Sequence, residues 1–302
     1  MSPLVIGGLV LSLLVLNGAK MFGPLSVVTN DKANAQSLNQ PFKKSARLAY
    51  PTPIANPKPI SVGASSAIIY DLDSGVKLFD KAGDQRRSIA SITKLMTALV
   101  IMDAHEPSEV VTVGNIPELG NYDQKIGITW SEKFELIDMM KALLIYSAND
   151  AANALAIYDS GSIDAFVGKM NAKASQWGLK NSNFVNPSGL DQGGEYSSAN
   201  DVLALGGLLY KNPTFKTIVG TSSDQIYNLQ GKPYSLATTN KLLGQFGVVG
   251  MKTGYTLVSG ECLITVAQRD GHSIMTVVLD SPDRFQESKS MIDWSFNNYI
   301  WQ

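Results

Sequence analysis

The chain has 302 residues, of which 44% are hydrophobic and 17% charged, with a formal net charge of −1 and one cysteine. That length can bury a sizeable core as one large domain or two small ones, and the near-zero charge removes the electrostatic grounds for a nucleic-acid partner. The lone Cys262 excludes an intrachain disulfide framework and a Cys-cluster zinc site, and a pair of histidines, His105 and His272, argues against a multi-histidine metal centre or a Ser-His-Asp triad. No metal and no cofactor is expected. A hydrolase built on this chain must activate its nucleophile by another route.

Residues 1–35 form a segment of their own. Leu4 to Leu16 is almost wholly apolar, and a weaker apolar stretch runs from Met21 to Val28. A bilayer crossing needs about 20 apolar residues, so the two stretches together suffice if Asn17 and Lys20 are tolerated. Ala33-Asn34-Ala35 has the small residues of a signal cleavage site. A membrane anchor and a cleaved signal both stand as readings, and either implies an exported protein. Residues 36–60 form a linker carrying Pro41, Pro51, Pro53, Pro57 and Pro59, whose spacing blocks helix and favours an extended spacer. Lys43, Lys44, Arg47 and Lys58 make it basic, as a solvated spacer or as a strip facing an anionic surface.

From Ser65 the pattern becomes globular, and residues 61–302 are read as one folded domain. Ala67–Tyr70 and Val76–Phe79 are strand-like runs around Asp73-Ser74-Gly75, a β-hairpin. Leu95, Met96, Leu99 and Met102 then recur at the spacing of one buried helix face. Helical periodicity continues in 136–144, 151–158, 163–177 and 199–209. Strand-like runs return at 262–267 and 273–279, and 284–299 is amphipathic. Strands at both ends with helices between predict an α+β fold: a sheet built from both chain ends, packed with helices, and a mostly helical middle.

Three short motifs carry the chemistry. In Ser91-Ile92-Thr93-Lys94, residues three apart share a helix face, so hydroxyl and amine can meet. Serine needs a base to remove its proton, and lysine serves only when neutral; burial and a second nearby cation both favour that state. S-x-x-K alone is weak, and a second match at Ser74–Lys77 lies in the hairpin turn. Ser147-Ala148-Asn149 falls between two helical patterns, where a loop can aim both polar side chains into a cleft. S-x-N also occurs at 37–39, 198–200 and 295–297, and Ser147 alone reads equally as a helix N-cap. Lys252-Thr253-Gly254 occurs once, before the late strands. A cation and a hydroxyl on an edge strand suit an anionic substrate end, and the glycine leaves room for close backbone approach. A charged edge strand that resists aggregation is the plain alternative.

Taken together, in the order S-x-x-K, S-x-N, K-T-G, these motifs resemble the signature set of penicillin-binding proteins and serine β-lactamases. The likeness extends through Ile69–Gly75, Ser147–Ala156, Asn186–Asp191, Thr239–Gly244, Gly250–Thr256 and Pro282–Phe285. It is similar to the low-molecular-mass penicillin-binding proteins, the serine D-alanyl-D-alanine carboxypeptidases of peptidase family S11. The resemblance implies a β-lactamase/transpeptidase-like fold and a peptidoglycan stem peptide as substrate. It implies Ser91 as nucleophile, Lys94 as general base and Ser147 as proton carrier. Asn149, Lys252, Thr253, Gly254 and Tyr255 would form the substrate-binding surface, with backbone N–H groups of Ser91 and Tyr255 as the oxyanion hole. β-Lactam antibiotics would be covalent inhibitors, and any membrane contact would come through the N-terminal segment. The location implied is the outer face of the cytoplasmic membrane, or the periplasm and wall. Ala148 stands where the family usually has Gly, so its methyl is expected to narrow the cleft.

Three other readings compete. A class A β-lactamase needs a second glutamate to activate water. Between Asp150 and Gly260 the sequence offers only Glu195, with Ala199 where that motif has Asn. A D,D-endopeptidase would use the same residues on a cross-linked substrate. A non-catalytic wall-binding module has no chemical reason to keep Ser91, Lys94, Ser147 and Lys252. His105 and His272 receive no role, and Cys262 is expected in a buried strand.

Overall fold

The computed structural model describes residues 50–302, Tyr122 excepted. Residues 1–35 and the first part of the linker lie outside the described residues. In chain order come β1 (Pro51–Pro53), β2 (Ser66–Asp71), β3 (Lys77–Lys81), α1 (Lys94–Ala104), β4 (Val110–Thr112) and β5 (Lys133–Glu135). Next are α2 (Leu136–Lys141), α3 (Asn149–Ser160), α4 (Ile163–Gln176), α5 (Ala199–Leu209) and α6 (Pro213–Val219). The chain closes with β6 (Ser223–Tyr227), β7 (Pro233–Ala237), β8 (Val248–Thr256), β9 (Gly260–Arg269), β10 (His272–Ser281), α7 (Arg284–Asn298) and β11 (Tyr299–Trp301). Among the described residues no helix is long and apolar enough to cross a membrane.

The organising layer is an antiparallel five-stranded sheet in the order β3-β2-β10-β9-β8. Both chain ends contribute to it, as the α+β reading requires. Side chains alternate across a strand, and here both faces are covered. On β9, Cys262, Ile264 and Val266 enter the larger core beneath the helical middle, while Leu263 and Ala267 enter a smaller core under α7. β10 divides likewise, with Met275, Val277 and Leu279 on one side and Ile274 and Val278 on the other. Burial on two faces explains why these strands are continuous apolar runs rather than alternating ones.

α1 is the central helix. Leu95 and Met96 are buried as expected, but Leu99 and Met102 are only partly so, and Val100 and Ile101 are fully buried. The helix is enclosed on nearly all sides rather than along one stripe, because α3, α4, α5 and the turn at Ala142–Tyr146 pack around it. Helix starts follow local chemistry. Ser198 accepts from the Asp201 N–H at 3.1 Å, and Asp283 accepts from Phe285 and Gln286 N–H groups at 3.2 and 3.0 Å.

Part of the proline-rich stretch is built into the folded unit. β1 pairs antiparallel with β11, Pro51 opposite Trp301 and Pro53 opposite Tyr299. The bonds are supplied by flanking residues: Tyr50 N–H donates to Gln302 O at 3.0 Å, and Ile54 N–H to Asn298 O at 2.9 Å. Each proline therefore occupies a position where its missing N–H is not needed.

Candidate active site

Ser91 sits in a 3-10 turn, Ala90–Thr93, and Lys94 is the first residue of α1. The turn brings them together: Lys94 Nζ lies 2.8 Å from Ser91 Oγ, 2.6 Å from Asn149 Oδ1 and 2.6 Å from the Ser188 carbonyl oxygen. Lys94 is fully buried. That burial lowers its pKa from 10.5 to about 7, against the pull of Glu195, Asp150 and Asp123. Asn149 Oδ1 and the Ser188 carbonyl can only accept hydrogen bonds. A neutral Lys94 spends its two hydrogens on them, which turns the nitrogen lone pair toward the Ser91 hydroxyl.

The second lysine completes an opposite wall. Lys252 on β8 donates to Ser147 Oγ at 2.7 Å and to the Thr253 carbonyl at 3.0 Å. Burial, then repulsion from Lys94 and Arg284, holds its pKa well below 10.5. Ser147 follows a π-helical turn, Ala142–Tyr146, in the left-handed region at φ 66°. It is not a helix N-cap: Ala148 holds that position in front of α3, and the Ser147 hydroxyl faces Lys252 instead. Thr253 Oγ1 lies 2.5 Å from Thr239 Oγ1.

Ser91, Ser147, Asn149, Thr253 and Tyr255 line one cleft of about 690 Å³ together with Arg284, while the two lysines lie beneath its surface. Tyr255 is 56% exposed, a cleft-lining ring rather than a packed strand aromatic. Asp123 and Gln124 reach the cleft from the 113–131 segment. Asp150 pins that segment, its carboxylate accepting from the N–H groups of Ile126, Gly127 and Ile128 at 3.2, 2.7 and 3.2 Å.

Two glycines allow the close packing. A Cβ on Gly254 would lie 2.7 Å from the Ile89 carbonyl oxygen, so the third residue of K-T-G lets β8 approach the turn that carries Ser91. Gly189 is tighter still. It has φ +76°, and a Cβ there would lie 1.9 Å from the Ala90 carbonyl oxygen. Gly189→Ala is expected to displace the Ser91 turn, lowering stability by about 2–4 kcal/mol. Denaturant midpoints measure the effect.

Ala148 corrects the sequence expectation. It is fully buried in the larger core and does not line the cleft, so its methyl leaves the cleft width alone. Arg284 is the residue that motif reading left without a role. It donates to the Gly254 carbonyl at 2.6 Å and lines the cleft. A signal was present: it is the first residue of α7, where the helix dipole disfavours a cation. Cys262 is buried on β9 and its thiol is pushed up to about 11, chiefly by burial. Among the described residues no three His, Cys, Asp or Glu side chains gather as a metal site.

A model of the D-alanyl-D-alanine carboxypeptidase family matches residues 53–283. The D-alanyl-D-alanine carboxypeptidase DacF of Bacillus subtilis is 34% identical over 246 residues, covering 78% of this chain and 63% of that protein, so the chain spans under two thirds of this relative's length. Among solved structures, the Streptomyces K15 DD-transpeptidase superposes with a TM-score of 0.73 at 28% identity, covering 80% of this chain and 99% of that one. Penicillin-binding protein D2 of Listeria monocytogenes, in its cefotaxime-bound form, gives a TM-score of 0.69 at 28% identity over 79% of this chain and 99% of its own.

Proposed function

The chain belongs to the D-alanyl-D-alanine carboxypeptidase family of serine peptidases, S11, and from that membership we propose that it removes the terminal D-alanine of peptidoglycan stem peptides through a Ser91 acyl-enzyme. The observation that carries the reading is the contact of 2.8 Å between the Ser91 hydroxyl and a buried amine whose pKa is lowered to about 7. Ser91 Oγ attacks the carbonyl between the two terminal D-alanines while its proton passes to Lys94 Nζ. Backbone N–H groups of Ser91 and Tyr255 receive the oxyanion, each worth about 3 kcal/mol. As the C–N bond breaks, the proton held by Lys94 is relayed through the Ser147 hydroxyl, itself hydrogen-bonded to Lys252, to the departing D-alanine nitrogen, which returns Lys94 to its neutral form and leaves Ser147 unchanged. Water then adds its hydroxyl to the acyl carbon while its proton goes to Ser91 Oγ by way of Lys94, so the ester bond breaks and Ser91 is restored.

Lys252 and Thr253 bind the terminal carboxylate. Its approach favours the protonated form of Lys252, so the cationic wall strengthens as substrate arrives. Arg284, on the Gly254 carbonyl, adds positive charge at the same end of the cleft. Asn149 accepts from Lys94 at its carbonyl oxygen, which leaves the amide N–H₂ to donate to a substrate carbonyl. Gly254 keeps β8 close to Ser91. β-Lactams, whose strained amide takes the place of the scissile bond, would acylate Ser91 and persist. The wall substrate requires an exported enzyme, with the N-terminal segment as signal or anchor.

Mass spectrometry of products is the direct test. A stem pentapeptide is expected to lose one D-alanine and yield a tetrapeptide, faster than cross-linked muropeptide is cut. Preferential cleavage of the cross-link would make the protein an endopeptidase, and no cleavage of either would refute the reading.

A further inference from the structure

Glu195 takes no part in the steps above, yet it is built into their support. It is 8% exposed and closes the loop that starts at Asn186. One carboxylate oxygen accepts from Thr93 Oγ1, and the other accepts from the Val185 N–H at 3.0 Å. Thr93 is itself fully buried, within the S-x-x-K turn and immediately before Lys94. Neither hydrogen bond comes from a cation, so this carboxylate is desolvated without an ion-pair partner in contact. Burial accordingly raises its pKa, while the charge on Lys94 works the other way.

We propose that Glu195 is a positioning residue for acylation, holding Lys94 through the Thr93 bridge and setting how firmly that amine keeps the proton it takes from Ser91. The inference rests on Ser91 and Lys94 acting as proposed above. In the attack, the bond from Ser91 Oγ to the substrate carbonyl carbon forms, the carbonyl π pair moves to oxygen, and the serine proton ends on Lys94 Nζ. The product of that transfer is a buried ammonium, which a buried carboxylate stabilises.

Other charges face Lys94 as well. Asp150 on α3 is already shared among backbone N–H groups, and Asp123 lies at the solvent-facing cleft, where screening weakens it. Lys252 on β8 opposes them. Of the three carboxylates whose fields reach Lys94, Glu195 contributes most.

The test is the pH profile of penicillin acylation. Glu195→Gln keeps both hydrogen bonds if the amide oxygen takes the Val185 N–H and the amide nitrogen donates to Thr93, so it removes charge alone. Its acid limb is expected to move down by about one pH unit, while the plateau rate falls roughly three- to tenfold because the base is weaker. Glu195→Asp, which keeps the charge, is expected to hold the wild-type limb. An unmoved limb in Glu195→Gln, or an equal shift in both variants, overturns the inference even if labelling persists. Should Glu195→Gln fail to fold, Thr93→Val and Thr93→Ser read the same coupling. The first removes the donor that keeps Glu195 ionised and should lower the limb; the second keeps the hydroxyl and should restore it. Equal limbs in that pair also overturn the inference. Ser91→Ala separates the two levels, since labelling that survives in that variant defeats the catalytic reading itself.

Discussion

Ser91→Ala is expected to abolish labelling by a fluorescent penicillin and to lower D-alanine release by roughly 10⁴-fold or more. The substitution removes one oxygen and little else. Lys94 loses the contact of 2.8 Å but keeps Asn149 Oδ1 and the Ser188 carbonyl, both at 2.6 Å. The amine stays buried and bonded, so the melting temperature should stay within a few degrees of the wild type. Loss of labelling with the fold retained would assign the covalent bond to this hydroxyl. Normal labelling would place the nucleophile elsewhere and discard the mechanism.

Lys94→Arg is expected to reduce acylation by roughly 10³-fold or more, because a guanidinium remains charged and offers no lone pair to the serine. It also brings a permanent cation into a fully buried site facing Lys252. In the wild type, only the neutral amine is a base. Acylation should therefore rise as pH climbs through about 7 and fall below it. Stability carries the same signature. The folded pKa is lowered from 10.5 to about 7, so between those values the unfolded chain binds more protons. Lys94 thus opposes folding fully below pH 7, and its contribution improves as pH rises from 7 toward 10.5. Stopped-flow labelling and denaturation at several pH values check the two slopes. A flat acylation profile from pH 5 to 8 would exclude Lys94 as the base.

The sheet and the long helices were legible because their signals are local. Residues 199–209 carry a helix period behind a Ser198 cap, and α5 spans that range. The strands β9 and β10 show as apolar runs because both faces are buried. Short elements escaped. α6 spans seven residues, though Asn212 followed by Pro213 at its first turn is a start signal. β7 alternates exposed and buried residues in Pro233–Ala237, a pattern too brief to stand out. The site divides in the same way. Ser91, Lys94, Ser147, Asn149 and Lys252 stand out in the sequence by the spacing and order of their motifs; Lys94 contacts Ser91 and Asn149, and Lys252 contacts Ser147. Thr93 with Glu195, and Arg284 with Gly254, join residues 102 and 30 positions apart. No spacing rule reaches across such separations, because the fold alone makes them neighbours.

The β1–β11 ladder has a mechanical consequence. The strands run antiparallel, and Tyr50 and Gln302 exchange N–H···O bonds of 3.0 and 3.3 Å at the same end of it. Tension drawn outward through these two residues would fall on that outermost pair first and peel the ladder open rung by rung. Shear along its whole length would require the rungs to break together. This short clasp would yield before the five-stranded sheet, acting as a fuse that leaves the Ser91 turn undisturbed.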